Sequence, residues 1–319
     1  MVPEMSLPKP LRITALAGGV GASKLLHGLL KSLPPENLTV IVNTGDDLEL
    51  YGLHISPDLD IVMYTLANCV DEPKGWGFKG DTFHCLEMLR NYGQETWFQL
   101  GDRDFATHFH RTLLLKSGLK LSEVTQILCR AFGLKVQILP MTDENFTTII
   151  VTDKGPMHFE EFLVKRMAQD PVLGVKYKGV ESAKPAPGVI DAILSSDGII
   201  ICPSNPIVSI GTILSIKGVR EALLKTKGRI VGVSPIIGGA PVKGPADKLM
   251  SGLKMEVSAY TVAKLYKDFL DTFIIDSLDK DLKQKIESLG IKVIVTNTIM
   301  KGFEDRVRLA EIVLQAIRD

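Results

Sequence analysis

The sequence is short of cysteine and carries no excess charge of either sign. Only four cysteines occur in 319 residues: Cys69, Cys85, Cys129 and Cys202. None forms a Cys-x-x-Cys pair or stands at zinc-ligand spacing from a histidine, which argues against a structural zinc site. Reduced thiols in a cytosolic protein are expected instead. Lys plus Arg and Asp plus Glu balance at 37 each. A zero net charge lacks the electrostatic footprint of a nucleic-acid binder, so no nucleic-acid partner is expected. No run reaches the roughly 18 apolar residues that a membrane span needs. Met1 to Pro10 carries three prolines and no apolar core, so it does not read as a signal peptide. A cytoplasmic protein with a short frayed start is expected. There is no internal repeat and no low-complexity tract.

What is present suffices for a full α/β core, since 45% of residues are hydrophobic and 23% charged. Ile13 to Ala17 is an apolar run ending in glycines and reads as a buried strand. Leu25, Leu26, Leu29, Leu30 and Leu33 then recur at helical spacing until Pro34 and Pro35. Thr39 to Asn43 is a second buried strand, completing a βαβ unit. Apolar runs return at Gly198–Cys202, Arg229–Val233, Phe273–Ile275 and Val293–Val295. Helical patterns at 216–226, 258–270 and 304–318 accompany them. The fold class is therefore α/β, a doubly wound, mostly parallel Rossmann-like sheet. Residues 103–132 read as two helices and 135–165 as short strands leading into a helix. This places an inserted smaller α+β lobe at 103–180, with 11–102 and 181–319 forming the nucleotide-binding domain.

Six segments carry chemistry. Gly18-Gly19-Val20-Gly21-Ala22-Ser23-Lys24 follows a strand and opens a helix, as a phosphate-cradling loop does. It matches neither the dinucleotide fingerprint nor the Walker loop, and a tight strand–helix turn is the plain alternative. Asn43-Thr44-Gly45-Asp46-Asp47 sits at a strand's carboxyl end, where two carboxylates could hold Mg²⁺ or a ribose hydroxyl. A solvated turn is equally consistent. In Ser56-Pro57-Asp58-Leu59-Asp60, Asp58 reads as an N-cap or a ligand, and Asp60 lies in the first helical turn. Four carboxylates so close in sequence favour a hard, oxygen-loving metal. Gly101-Asp102-Arg103-Asp104 precedes His108 and Arg111, which share one helix face; either an anion site or a charge-laced surface helix fits. Loops around Ser204-Asn205 and Ser234 follow further strands and suit a shared ligand crevice, or are turns. Trp76, between glycines, could stack on a flat ring or cover the core edge.

The segments AGGVGASK, VNTGDD, LHISPDLDIVMYTLAN, KGWGFKGDTF, LGDRDFATHFHRT, LPMTDE, PSNPIVSIGTILSI and SPIIGGAPVKGPADKLM occur in this order. Together they resemble the 2-phospho-L-lactate transferase family of coenzyme F420 biosynthesis, from about Ile13 to about Met250. The resemblance implies a Mg²⁺-dependent enzyme, often a homodimer. Its members move a phospho-acid from a guanosine diphosphate-linked donor to the ribityl hydroxyl of the deazaflavin Fo and release GMP. It implies a phosphate loop at Gly18, Gly19 and Gly21 and a guanosine-nucleotide side at Ser204 and Asn205; the expected donor site is Gly18, Gly19, Val20, Gly21, Lys24, Ser204, Asn205 and Ser234. Asp60 matches a deazaflavin-contacting carboxylate of the family, and the expected acceptor site is Asp58, Asp60, Trp76, Gln99, Arg103 and His108. Asp46 and Asp60 are the expected metal ligands, with Asp46, Asp47 and Asp60 as catalytic carboxylates and Asp47 or Asp58 as proton acceptor. Gln99 stands where some members have Lys, and Val20 where archaeal members often have Thr. A non-catalytic nucleotide-sugar-binding regulator is the alternative within a related branch. An NAD-dependent dehydrogenase lacks its third glycine here.

Overall fold

The computed structural model describes residues 11–319. The frayed start expected for Met1–Pro10 lies outside the described residues. Seven strands form one sheet in the order Lys292–Thr296, Thr272–Asp276, Arg229–Val233, Gly198–Ile201, Ile13–Ala17, Leu38–Val42, Gln137–Pro140. Every neighbouring pair is parallel. The apolar runs are continuous because both faces are covered and successive side chains alternate between two cores. Ile13, Ala15, Val40, Val42 and Ile200 enter one core, with Leu25, Leu29, Val313 and Leu314 of the flanking helices. Leu16, Ile41, Ile199, Ile201 and Phe273 enter the other, with Ile193, Leu223 and Val262. This is the expected doubly wound sheet.

The strand order reverses between Ile13–Ala17 and Gly198–Ile201. The loops leaving these two strands therefore diverge and open a crevice at their carboxyl ends. The helix Gly19–Ser32 follows the first loop, and Phe303–Arg318 packs across it. Gly28 permits that crossing: a Cβ there would lie 2.2 Å from the Arg306 carbonyl oxygen. Arg306, 3% exposed, forks onto Glu72 with Nη1 donating at 2.8 Å and Nη2 donating to the second oxygen. The same Nη1 donates to His27 Nδ1 at 2.9 Å. Glu72 belongs to the loop closed by Asp71 N–H donating to Gly77 C=O, and Trp76 sits at its tip.

Gln137–Pro140, expected among the short strands of the smaller lobe, instead pairs with Leu38–Val42 at the edge of the main sheet. The helices Asp102–Lys116 and Leu121–Ala131 precede it. Leu121, Val124 and Leu128 of the second helix join the core beneath Val40. The antiparallel strands Gly155–His158, Thr147–Thr152 and Val172–Lys178 form a separate small sheet. A single π-helical turn, Glu161–Lys165, follows its hairpin, and Phe159 and Phe162 pack into the main core. This hairpin carries Glu160 over the crevice.

Candidate functional site

Two clefts meet at the carboxyl ends of the strands. The larger, about 570 Å³, is lined by Gly18, Gly19, Val20, Gly21, Lys24, Asp46, Ser204, Asn205 and Ser234, the full donor set expected from sequence. The glycine loop and the loop after Gly198–Ile201 are stapled together. Ser204 Oγ accepts from Gly18 N–H at 3.2 Å and donates to Gly18 C=O at 2.8 Å. A Cβ at Gly21 would lie 2.4 Å from the Pro203 carbonyl oxygen, so only glycine permits this approach. Asn205 Oδ1 accepts from Ile207 and Val208 N–H, which shapes its loop and leaves its amide N–H₂ without an acceptor among the described residues. Lys24 donates only weakly, to Met300 C=O at 3.4 Å. Its pKa is lowered by burial and by the Arg306 charge.

The smaller cleft, about 330 Å³, is lined by Asp58, Asp60, Trp76, Gln99 and His108 from the expected acceptor set. Ile55, Ile61, Phe98, Leu100 and Asp104 complete an otherwise apolar slot. Arg103 lines neither cleft; its Nη1 donates to Lys79 C=O at 3.2 Å. Asp47 lines neither as well. It accepts from His54 Nε2 at 3.0 Å and Ser56 Oγ at 2.8 Å, bracing the loop from behind. Gly19, Val20, Asp58, Glu160, Leu163 and Lys243 line both clefts and form the seam.

Buried charge decides what the seam can do. Asn43, fully buried, donates from one Nδ2 to Asp46 Oδ2 at 2.9 Å and to Asp58 Oδ2 at 2.8 Å. Thr212 Oγ1 and Gly45 N–H fix the other end of that amide. Asp46 is neither in a solvated turn nor ion-paired, and Asp58 is a partner of Asn43 rather than a helix cap. Burial pushes Asp46 well up, reinforced by Asp58, Glu160 and Asp47. Burial likewise raises Asp58 to about 7, opposed by Asn43. Glu160 rises to about 8 through burial and the Asp58 and Asp47 charges. Asp46 Oδ1 is buried with no hydrogen-bond partner.

Asp60 was paired with Asp46 in the sequence as a metal carboxylate, but the structure commits it elsewhere. Both its oxygens accept from Arg111, Nη1 at 3.1 Å and Nη2 closer still. Arg111 is 1% exposed, so its helix is not a charge-laced surface. Burial alone would lower the Arg111 pKa, but Asp60 overrides it and keeps the guanidinium charged. Arg111 Nη1 also lies 3.1 Å from His108 Nδ1. A guanidinium can only donate, so Nδ1 accepts and the single proton of a neutral imidazole sits on Nε2. Burial and Arg111 hold His108 well below its usual pKa and therefore neutral.

The sequence model described as "2-phospho-L-lactate transferase CofD" matches residues 13–302. A 2-phospho-L-lactate transferase from Methanosarcina mazei is 45% identical over 94% of this chain and 98% of its own length. A phosphoenolpyruvate transferase from Streptomyces coelicolor is 44% identical over 88% of this chain and 90% of its own. The chain belongs to the 2-phospho-L-lactate transferase family. A crystal structure of a UPF0052-family protein from Bacillus halodurans shares the fold, with a TM-score of 0.64 at 16% identity over 96% of this chain and 99% of that one.

For this member of the transferase family, sequence reasoning missed Glu160 and Lys243 at the seam, and named Asp104 only within a segment without placing it in the smaller cleft. A short apolar strand ending in a doubled acid, His158-Phe159-Glu160-Glu161, was the available signal for the first. Asp104 rises to about 7 through burial and then the Asp60 charge, against an ordinary 3.8. The folded protein thus holds this proton more tightly than the unfolded chain. Its contribution to stability is full below the unfolded pKa and is lost as pH climbs through about 7. The melting temperature of metal-free protein is therefore expected to fall between about pH 4 and pH 8. In Asp104→Asn that slope should flatten. An unchanged slope in differential scanning calorimetry would remove Asp104 as the cause.

Proposed function

We propose that the protein transfers a phospho-acid, 2-phospho-L-lactate or phosphoenolpyruvate, from a guanosine diphosphate-linked donor to the ribityl hydroxyl of Fo. The products are F420-0 or its dehydro form, and GMP. One observation carries this reading: a polar, glycine-cradled cleft and an apolar, tryptophan-walled slot meet at a seam of buried carboxyls. A transfer between oxygens needs two substrates held end to end with their charges compensated, more than it needs a covalent nucleophile.

The glycine loop and Lys24 suit the diphosphate, and the Asn205 amide and Ser234 loop suit the nucleoside. Trp76 suits a flat ring. Among the described residues, no three His, Cys, Asp or Glu side chains group closely enough to cage a metal. Mg²⁺ needs no such cage, because it is commonly held by one or two carboxylates together with substrate phosphate and water. Asp46 and Asp58, drawn onto one Asn43 amide and with an orphaned oxygen on Asp46, fit that requirement. Those two residues would hold Mg²⁺, which supplies charge neutralisation to the diphosphate when bound. The proton of the attacking hydroxyl falls to Glu160, the remaining carboxyl that lines both clefts. Asp47 faces neither, which speaks against the role expected for it.

Residues 103–180 are proposed as the unit that borders the acceptor. Asp104, His108, Glu160 and Leu163 all fall within it and line that slot. The assembly is proposed to be a homodimer, and sedimentation equilibrium tests it. Among the described residues no helix is long and apolar enough to cross a membrane, which is compatible with the cytoplasmic location proposed.

The deciting test of the reaction is a transfer assay with Fo, Mg²⁺ and the guanosine diphospho-lactate, -enolpyruvate and -glycerate donors in parallel. One acid-specific product, lost on adding EDTA, is expected by mass spectrometry. Nucleotide binding with no product from any donor would favour a regulatory protein instead.

A further inference from the structure

Asp104 is a buried carboxyl for which the reaction as described has no use. It is 5% exposed and makes no ion pair among the described residues. Its hydrogen bonding is weak: it accepts from Gly101 N–H at 3.5 Å, and the otherwise unpartnered Tyr64 hydroxyl, which lines the same slot, lies close enough to lower its pKa. A carboxyl in such a place carries a desolvation cost that packing alone does not offset. It lines the slot between Trp76 and Phe98, and a Cβ at Gly77 would lie 3.3 Å from its Oδ2. His108 lies one helical turn further on, four residues along the same helix, and lines the same slot. Its Nδ1 is taken by Arg111, so Nε2–H is a fixed donor. The slot thus offers one buried acceptor and one buried donor side by side in apolar walls.

We propose that Asp104 and His108 read an imide-like edge, an N–H beside a carbonyl, on the flat heterocycle of the acceptor, and so determine which acceptors are taken. Asp104 accepts from the ring N–H and His108 Nε2–H donates to the neighbouring carbonyl. The Asp60–Arg111 pair acts one step behind, as the positioning device that fixes the imidazole tautomer. Hydrogen-bonding pockets of this kind reject analogues strongly, because a buried polar group is left unpaired when the ligand lacks its counterpart. This inference rests on the acceptor reading above and adds the feature of the acceptor that is recognised.

The test compares Fo with an analogue methylated at the imide nitrogen, in the parent protein and in Asp104→Ala. Binding is followed by deazaflavin fluorescence and transfer by product formation. In the parent, methylation is expected to cost about 100-fold in kcat/KM and in affinity. In Asp104→Ala the value for Fo should fall by a similar factor, while methylation then costs less than about tenfold. Loss of discrimination is the readout that a merely structural role would not give. Equal use of both rings by the parent overturns the proposal, as does undiminished discrimination in the variant. If Asp104→Ala does not fold, the parent's binding discrimination decides alone. Because fluorescence reports binding without turnover, a parent that discriminates between the rings but transfers nothing would leave this inference standing and sink the proposed reaction.

Discussion

Replacing Asp60 by asparagine is expected to lower the stability of the fold by about 3–5 kcal/mol, the usual result of stripping one partner from a buried ion pair. Arg111 has no alternative. It is 1% exposed, its Nε is already without a partner, and both Nη groups are committed to Asp60 and His108. Asparagine is isosteric but cannot compensate the charge. The loss should appear as a lower urea midpoint with an unchanged slope. Replacing both partners by apolar residues, Asp60→Leu with Arg111→Met, should recover much of it, since paired removal leaves no orphaned charge. Such a double variant would fold and yet bind the acceptor poorly, its His108 tautomer no longer fixed. A single Asp60→Asn variant as stable as the parent, with transfer alone abolished, would return Asp60 to the reaction itself.

The second large effect has the opposite character. Asp58→Asn is expected to reduce transfer by about a thousandfold, equivalent to about 4 kcal/mol of barrier. At about pH 8 it should leave the stability of the metal-free protein unchanged or slightly higher. Asp58 is buried beside like charges, and burial pushes its pKa to about 7. An amide removes that repulsion while still accepting from Asn43. Steady-state kinetics beside chemical denaturation separates the two quantities. A destabilised Asp58→Asn protein with a proportionate loss of activity would mean that Asp58 supports the fold and not the transfer. Taken with Asp60, this sorts two carboxyls separated only by Leu59. One is held because the fold needs it, and the other is tolerated although the fold does not.

That distinction was not legible in the sequence. The strands were, because a buried parallel strand must be apolar on both faces, and Ile13–Ala17 and Gly198–Ile201 advertise this directly. The glycine loop was legible too, since close approach to a neighbouring backbone leaves few residue types available. What a carboxylate does depends on the partner that the fold delivers, and the partner of Asp60 lies 51 residues away. Arg111 sits in a helix whose mixed composition fits an anion site or a solvated surface, and neither reading names Asp60 as its partner. The same limitation hid Glu160, which follows a short strand and meets the crevice only because the small antiparallel sheet carries it there. Val136–Leu139 was recognised as a strand, but a run of four residues does not say which sheet it joins.

The fork between Arg306 and Glu72 joins residues 234 positions apart in the chain. It ties the loop carrying Trp76 to the helix Phe303–Arg318. During translation the glycine loop and its strand are made before the Trp76 loop gains its tie to Arg306; until then that loop is held by the Val70–Phe78 bridge and by Lys243 donating to Lys74 C=O. The two clefts are thus tied to parts of the chain made at different times, the glycine loop first and the Arg306 tie of the Trp76 loop only after residue 306.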